Sequence, residues 1–210
     1  VETGARKVNV AVDDAALDGL ARSLAAAAEG VSQLACARGR TEVLDAAARL
    51  ELRRDEARAL ARLVRGHVDR AFGADVDRPH WHDLARHIRD AIDHLEKAAA
   101  AIALAGVDEL SEGTRGLAYL ATEAAREASA AALHRRTGGL TAALDLAIAR
   151  THELDAHAEN LLREELASLF ESMRDPSEFF RGRDALRPLR RVALESRRIV
   201  DRLSVHAMAR

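Results

Sequence analysis

The chain has 210 residues, 48% hydrophobic but only 3% aromatic, and carries a formal net charge of −2. That composition suits one compact unit or two small coupled ones, is poor in the β-branched and aromatic residues that strands use, and gives no global electrostatic case for nucleic acid. A single cysteine, Cys36, excludes an internal disulfide and a cysteine-based zinc cluster, and no apolar run nears the ~20 residues needed to span a bilayer.

The opening VETGARKVNVAVDD lacks the apolar core of a signal peptide, so a soluble, reducing, cytoplasmic setting is expected. Lysine occurs only at 7 and 97, which leaves 30 of the 32 basic residues as arginine. Guanidinium forks suit phosphate and carboxylate groups, but biased codon usage produces the same preference.

Hydrophobic periodicity predicts an all-α chain of six helices, over 13–38, 41–72, 79–104, 108–135, 141–174 and 178–207. The first holds Cys36 among small residues near its end, where it reads as filler. Gly39 breaks the pattern, and Thr41 follows as an N-cap. The second helix has an apolar seam through Val43, Ala47, Leu50, Ala57, Ala61, Val64 and Val68, interrupted midway by Arg54.

After FGADVDRP the third helix opens with Pro79 near its first position and Trp81 folding back onto a core. Leu84, Ile88, Ala91 and Leu95 form its apolar line. Asp83, His87, Asp90 and His94 run along the edge of that line, and a solvated face with Asp–His pairs is expected there. His87 and His94 stand about 10 Å apart along the axis, too far for one ion.

Gly106 precedes the fourth helix, and TGG at 137–139 precedes the fifth, with Thr141 as a second N-cap. The fifth contains HELDAHAE at 152–159, which begins like the zinc-protease motif HExxH. Position 156 is alanine, however, and His157 lies five residues after His152, roughly 140° away round the helix. One zinc cannot reach both. Stepping by threes and fours from Leu144 gives Ile148, His152, Asp155, Glu159, Leu162, Leu166, Leu169 and Met173, a seam whose middle is polar. Buried carboxylates are costly unless cations, hydrogen bonds or a metal meet them. The sixth helix follows RDPSE.

The halves repeat. TEVLDAAA at 41–48 matches TAALDLAI at 141–148, and Ala57, Leu60 and Arg62 answer Ala158, Leu161 and Arg163 at a spacing of 101. Asp83 and Arg89 answer Asp184 and Arg190 likewise. A duplicated three-helix unit is expected, with repeat one over about 13–104 and repeat two over about 108–207, packed as two antiparallel bundles. Each half carries a polar break at corresponding depth, with opposite charge.

With FGADVDRPHWHDL at 72–84 and LDAHAENLLREELASLFESMRDP at 154–176, the chain resembles the PhoU-like family, within it the accessory proteins of low-affinity inorganic phosphate (Pit) transporters. The resemblance covers nearly the whole chain, although Asp75 stands where the family's turn has proline. It implies a six-helix duplication that regulates phosphate uptake or signalling from the cytoplasmic side of the membrane, peripheral to it, through a transporter or signalling partner.

It also implies metal clusters held by E/D-x-x-x-D pairs on helices two, three, five and six. Those positions fall on Arg54 and Arg58, on Arg89 and Asp93, on Asp155 and Glu159, and on Arg190 and Leu194; a shifted register on helix two gives Glu51 and Asp55 instead. Two alternatives follow. Buried ion pairs replace the clusters, with Arg54 and Arg58 facing Asp93 and with Arg190 facing Asp155 and Glu159. Otherwise a reduced site at Asp155, Glu159, Asp93 and His152 holds iron, zinc or calcium.

No phosphate-cradling glycine loop, nucleophile elbow or nucleotide motif supports an enzyme. The competing functions are a carboxylate/histidine metal-bundle enzyme, for which Ala156 spoils the Glu-x-x-His spacing, and a scaffold that has lost both metal and phosphate roles. Alanine-lined surfaces favour self-association.

Overall fold

The computed structural model describes residues 2–37, 39–70, 78–105, 110–135, 140–172 and 175–208. Among these it contains six helices and no strand: α1 (Glu2–Cys36), α2 (Arg40–Arg70), α3 (Arg78–Ala105), α4 (Glu112–His134), α5 (Leu140–Ser172) and α6 (Pro176–Met208). No helix is long and apolar enough to cross a membrane among the described residues.

Most helix boundaries follow local chemistry. Gly39, at φ 108°, adopts the left-handed conformation that glycine alone takes without strain. Its carbonyl accepts from Val43 N at 3.4 Å, so Gly39 occupies the capping position and Thr41, expected there, lies inside the first turn. The α4 helix starts later than periodicity suggests because Ser111 caps it, its hydroxyl accepting from Thr114 N at 3.0 Å. Ser111 also donates to Glu165 of α5 at 2.5 Å, which ties α5 to the start of α4. Asp175 caps α6 by accepting from Ser177 N at 3.0 Å. The α1 helix begins at Glu2 rather than 13, since periodicity marks a packing face and not the whole extent of a helix. The capping side chain of Thr141, the TGG turn and Met173 lie outside the described residues.

In each half three helices pack together: α1, α2 and α3 in one, α4, α5 and α6 in the other. The halves meet through α1 against α4 and α3 against α6, so these four helices form the centre while α2 and α5 flank it. Alanines dominate the centre. Ala21, Ala27, Ala28, Ala121, Ala124, Ala125 and Ala128 are all fully buried, and small side chains let helix backbones approach closely. The α1–α4 approach is close enough for hydroxyls to reach across to main-chain carbonyls: Ser129 donates to Ala21 O at 2.7 Å and Thr122 to Ala28 O at 3.3 Å. The two helices are therefore antiparallel. A shift of 101 residues turns one of these bonds into the other, and 101 is the spacing of most of the sequence matches.

Trp81 packs at the edge of the core, edge-on to the buried His80 ring at 5.1 Å. Cys36 is exposed at the end of α1, so it fills no core space. Overfilling the alanine-lined centre should be costly: Ala125→Leu is expected to lose about 1–3 kcal/mol in urea unfolding, against a near-neutral Ala149→Leu on the exposed side of α5.

Candidate functional site

The helices α2, α3, α6 and α5 lie side by side in that order, and ion pairs bridge each of the three junctions between them. Periodicity explains why. On α2, Arg54 takes a place in the apolar line between the buried Leu50 and Ala57. On α5, Asp155 does the same between Thr151 and Ala158. Each helix thus turns one charge towards its neighbour, where water is scarce and a counter-charge is required.

At the α5–α6 junction Asp155 is 5% exposed. Arg190 Nη1 stands 3.1 Å from its Oδ1, an ionic approach without hydrogen-bond alignment, and Arg197 Nη1 donates to Oδ2 at 3.2 Å. The same Arg190 donates through Nε to Glu159 Oε2 at 2.5 Å, and Arg163 reaches the other oxygen of Glu159 at 3.1 Å. The hydrogen bond from Arg190 is the main cause holding the Glu159 carboxyl below its ordinary pKa, with the charges of Arg190 and Arg163 adding to it and outweighing burial. His152, one turn before Asp155, bonds to Asp201 at 2.9 Å.

At the α2–α3 junction Arg54 meets Glu96 at 3.0 Å and Arg58 meets Asp93 at 3.2 Å. Arg58 thus faces Asp93 as the sequence suggests, but Arg54 does not: its cross-helix partner is Glu96, one turn further along α3. Arg54 is 18% exposed, whereas Glu51 and Asp55 are 62% and 63% exposed and brace it from its own helix. The arginine register therefore faces the junction and the E-x-x-x-D register faces water. Arg89 bonds its neighbour Asp90 at 2.6 Å and, among the described residues, reaches no carboxylate on α2 or α6.

These two junctions are copies with the charges exchanged. Arg54 on α2 meets Glu96 on α3; a shift of 101 residues gives Asp155 on α5 and Arg197 on α6, which meet at 3.2 Å. The polar breaks of opposite charge in the sequence are the two ends of this relation.

The α3–α6 junction corrects the sequence reading. His87, expected on a solvated face, is 5% exposed and shares a 2.6 Å hydrogen bond with Glu195, also 5% exposed. Arg86 lies 3.1 Å from the other ring nitrogen. Since an arginine can only donate, Nε2 accepts and Nδ1 carries the proton given to Glu195. Arg198 meets the second Glu195 oxygen at 2.7 Å, and Arg202 crosses to Asp83 at 2.8 Å. Burial pushes the Glu195 carboxyl up, but the hydrogen bond from His87 and the charge of Arg198 together overcome it and hold the group below its ordinary value.

The α3 helix has more than one buried side. It touches α1, α2 and α6, and its buried set includes Ala85, Ile92, Ala98, Ala99 and Ile102 beyond the single apolar line. That spread of apolar residues was the available signal. His94, the other end of the stripe, is half-buried, and burial first, then the charges of Lys97 and Arg191, favour its neutral form.

Asp155, Glu159 and His152 thus share one junction while Asp93 lies at another, and guanidinium groups fill the space between the carboxylates. Among the described residues no three or more His, Cys, Asp or Glu side chains converge to hold a metal ion. No protein-family model matches the chain, and no curated protein matches it.

Removing Arg190 strips Glu159 of its main partner and Asp155 of one of two. Arg190→Ala is expected to cost about 3 kcal/mol in urea unfolding, and a loss no larger than that of the exposed Arg163→Ala would contradict the packing described. Glu159 and Glu195 ionise more readily folded than unfolded, so their stabilisation is complete above about pH 4.5 and is lost as the pH falls through their folded values. The melting temperature should therefore drop in acid, and Glu159→Gln should flatten that drop between about pH 5 and 3. Identical acid profiles for the variant and the parent would contradict it.

Proposed function

We propose that the protein is a regulatory or accessory protein of inorganic phosphate transport that works by protein–protein contact and has ion pairs where its metal-binding counterparts hold clusters. The observation that carries this is the charge-exchanged pair of junctions, Arg54–Glu96 and Asp155–Arg197, on the two flanking helices of a six-helix arrangement. By the resemblance of the sequence to PhoU-like accessory proteins of Pit transporters, cluster ligands belong on these same helix pairs. A multinuclear cation site needs many uncompensated carboxylate oxygens. Here Arg190 and Arg197 already neutralise Asp155 and Glu159, and Arg58 neutralises Asp93. The donor set does not fit iron, zinc or calcium.

Regulation then rests on shape and surface charge, with the ion pairs fixing how the helices stand against one another. No catalytic group is assigned.

The test is co-purification with a low-affinity phosphate transporter in detergent, with and without phosphate. Capture that changes with phosphate is the expected result. Capture indifferent to phosphate would point to a scaffold, and no capture in either condition would overturn the proposal.

A further inference from the structure

The α3–α6 junction carries more positive charge than its carboxylates can use. The α6 helix has twice as many arginines as carboxylates, in a chain whose net charge is −2. Glu195 is taken by His87 and Arg198, Asp83 by Arg86 and Arg202, Asp90 by Arg86 and Arg89, and Asp184 by Arg183. Lys97, Arg187 and Arg191 are exposed and form no ion pair with any described residue.

The His87–Glu195 and Asp83–Arg202 contacts fix the antiparallel register of the two helices. That register sets Lys97 level with Arg187, and His94 level with Arg191. Lys97 and Arg187 thus stand as like charges at one level, with Arg191 one turn away along α6, and each lowers the cost of bringing an anion. One further step along, the same register sets Leu104 level with Phe180, 86% and 50% exposed. The Arg183 guanidinium lies over the Phe180 ring at 4.8 Å and holds it at this end. From Arg191 to Phe180 the row runs about 16 Å at helical rise, the span of roughly five extended residues.

We infer that this row, cationic at Lys97, Arg187 and Arg191 and apolar at Leu104 and Phe180, is a docking site for an acidic segment of a partner protein that ends in apolar side chains. A uniform anionic bilayer fits less well, because the cations lie in a single row about 16 Å long, which an extended peptide can follow and a flat plane of headgroups cannot. The inference deepens the contact part of the function proposed above and rests on it for the nature of the partner. Its test uses no transporter and no phosphate, so the two fail separately.

The probe is a fluorescent twelve-residue peptide, glutamate-rich with two leucines at one end, followed by anisotropy at low and moderate salt. The parent protein should bind it, more weakly as salt rises. Lys97→Glu, Arg187→Glu and Arg191→Glu together should weaken binding at least ~10-fold, and Leu104→Ser with Phe180→Ser several-fold, with melting temperatures near the parent's. A charge-matched control, Arg22→Glu, Arg49→Glu and Arg115→Glu, should change it less than ~2-fold. Equal weakening by the control, or no binding by the parent, would overturn the inference. So would capture by phosphatidylglycerol vesicles in preference to the peptide, lost in the same triple variant.

Discussion

A carboxylate that cannot reach water, Asp155 on α5, sets the terms for much of this structure. It sits in the middle of an apolar line, 5% exposed, and survives there because Arg190 and Arg197 approach it from α6. A buried ion pair adds little net stability over apolar packing, but leaving one partner alone is expensive. The interaction therefore acts less as glue than as a register mark. A turn's slip of α6 along α5 would strand the carboxylate and free two guanidiniums at once. The α2–α3 junction enforces the same discipline with the charges exchanged.

The two kinds of contact between the halves divide the work. Between α1 and α4, alanines and two hydroxyl-to-carbonyl bonds make a dry, close seam, and those bonds exchange under the same shift of 101 residues that relates the ion pairs. Between α3 and α6 the symmetry breaks. His87 and Glu195 make a buried polar bond there, but the residues a repeat away are Pro188 and His94, which can form no such pair. One half of the central junction is thus locked, and the other carries the unpaired cations. Where the correspondence between the halves fails, one surface has a distinct chemistry.

Much of this was legible in the sequence. Turn residues and a 3.6-residue period located six helices, and the matches at a spacing of 100–101 anticipated the paired halves. Finding Arg54 and Asp155 on apolar lines was enough to expect counter-charges opposite them. The partner of Arg54 was not legible, because Asp93 and Glu96 lie one turn apart on α3 and only the relative height of two helices chooses between them. Nor was the burial of His87, since a helix enclosed from several sides blurs the single-sided pattern from which exposure is inferred. Side-chain hydroxyls also decided more than periodicity could, as Ser111 shows by setting where α4 begins.

The central claim is that guanidinium groups, and not metal ions, meet the carboxylates between these helices. The most direct measurement is elemental analysis of untagged protein purified without chelator, beside an Asp155→Ala, Glu159→Ala double variant. Well-folded parent protein with far less than one equivalent of any metal is the predicted result. Near-stoichiometric iron, zinc or calcium that disappears in the variant would contradict it.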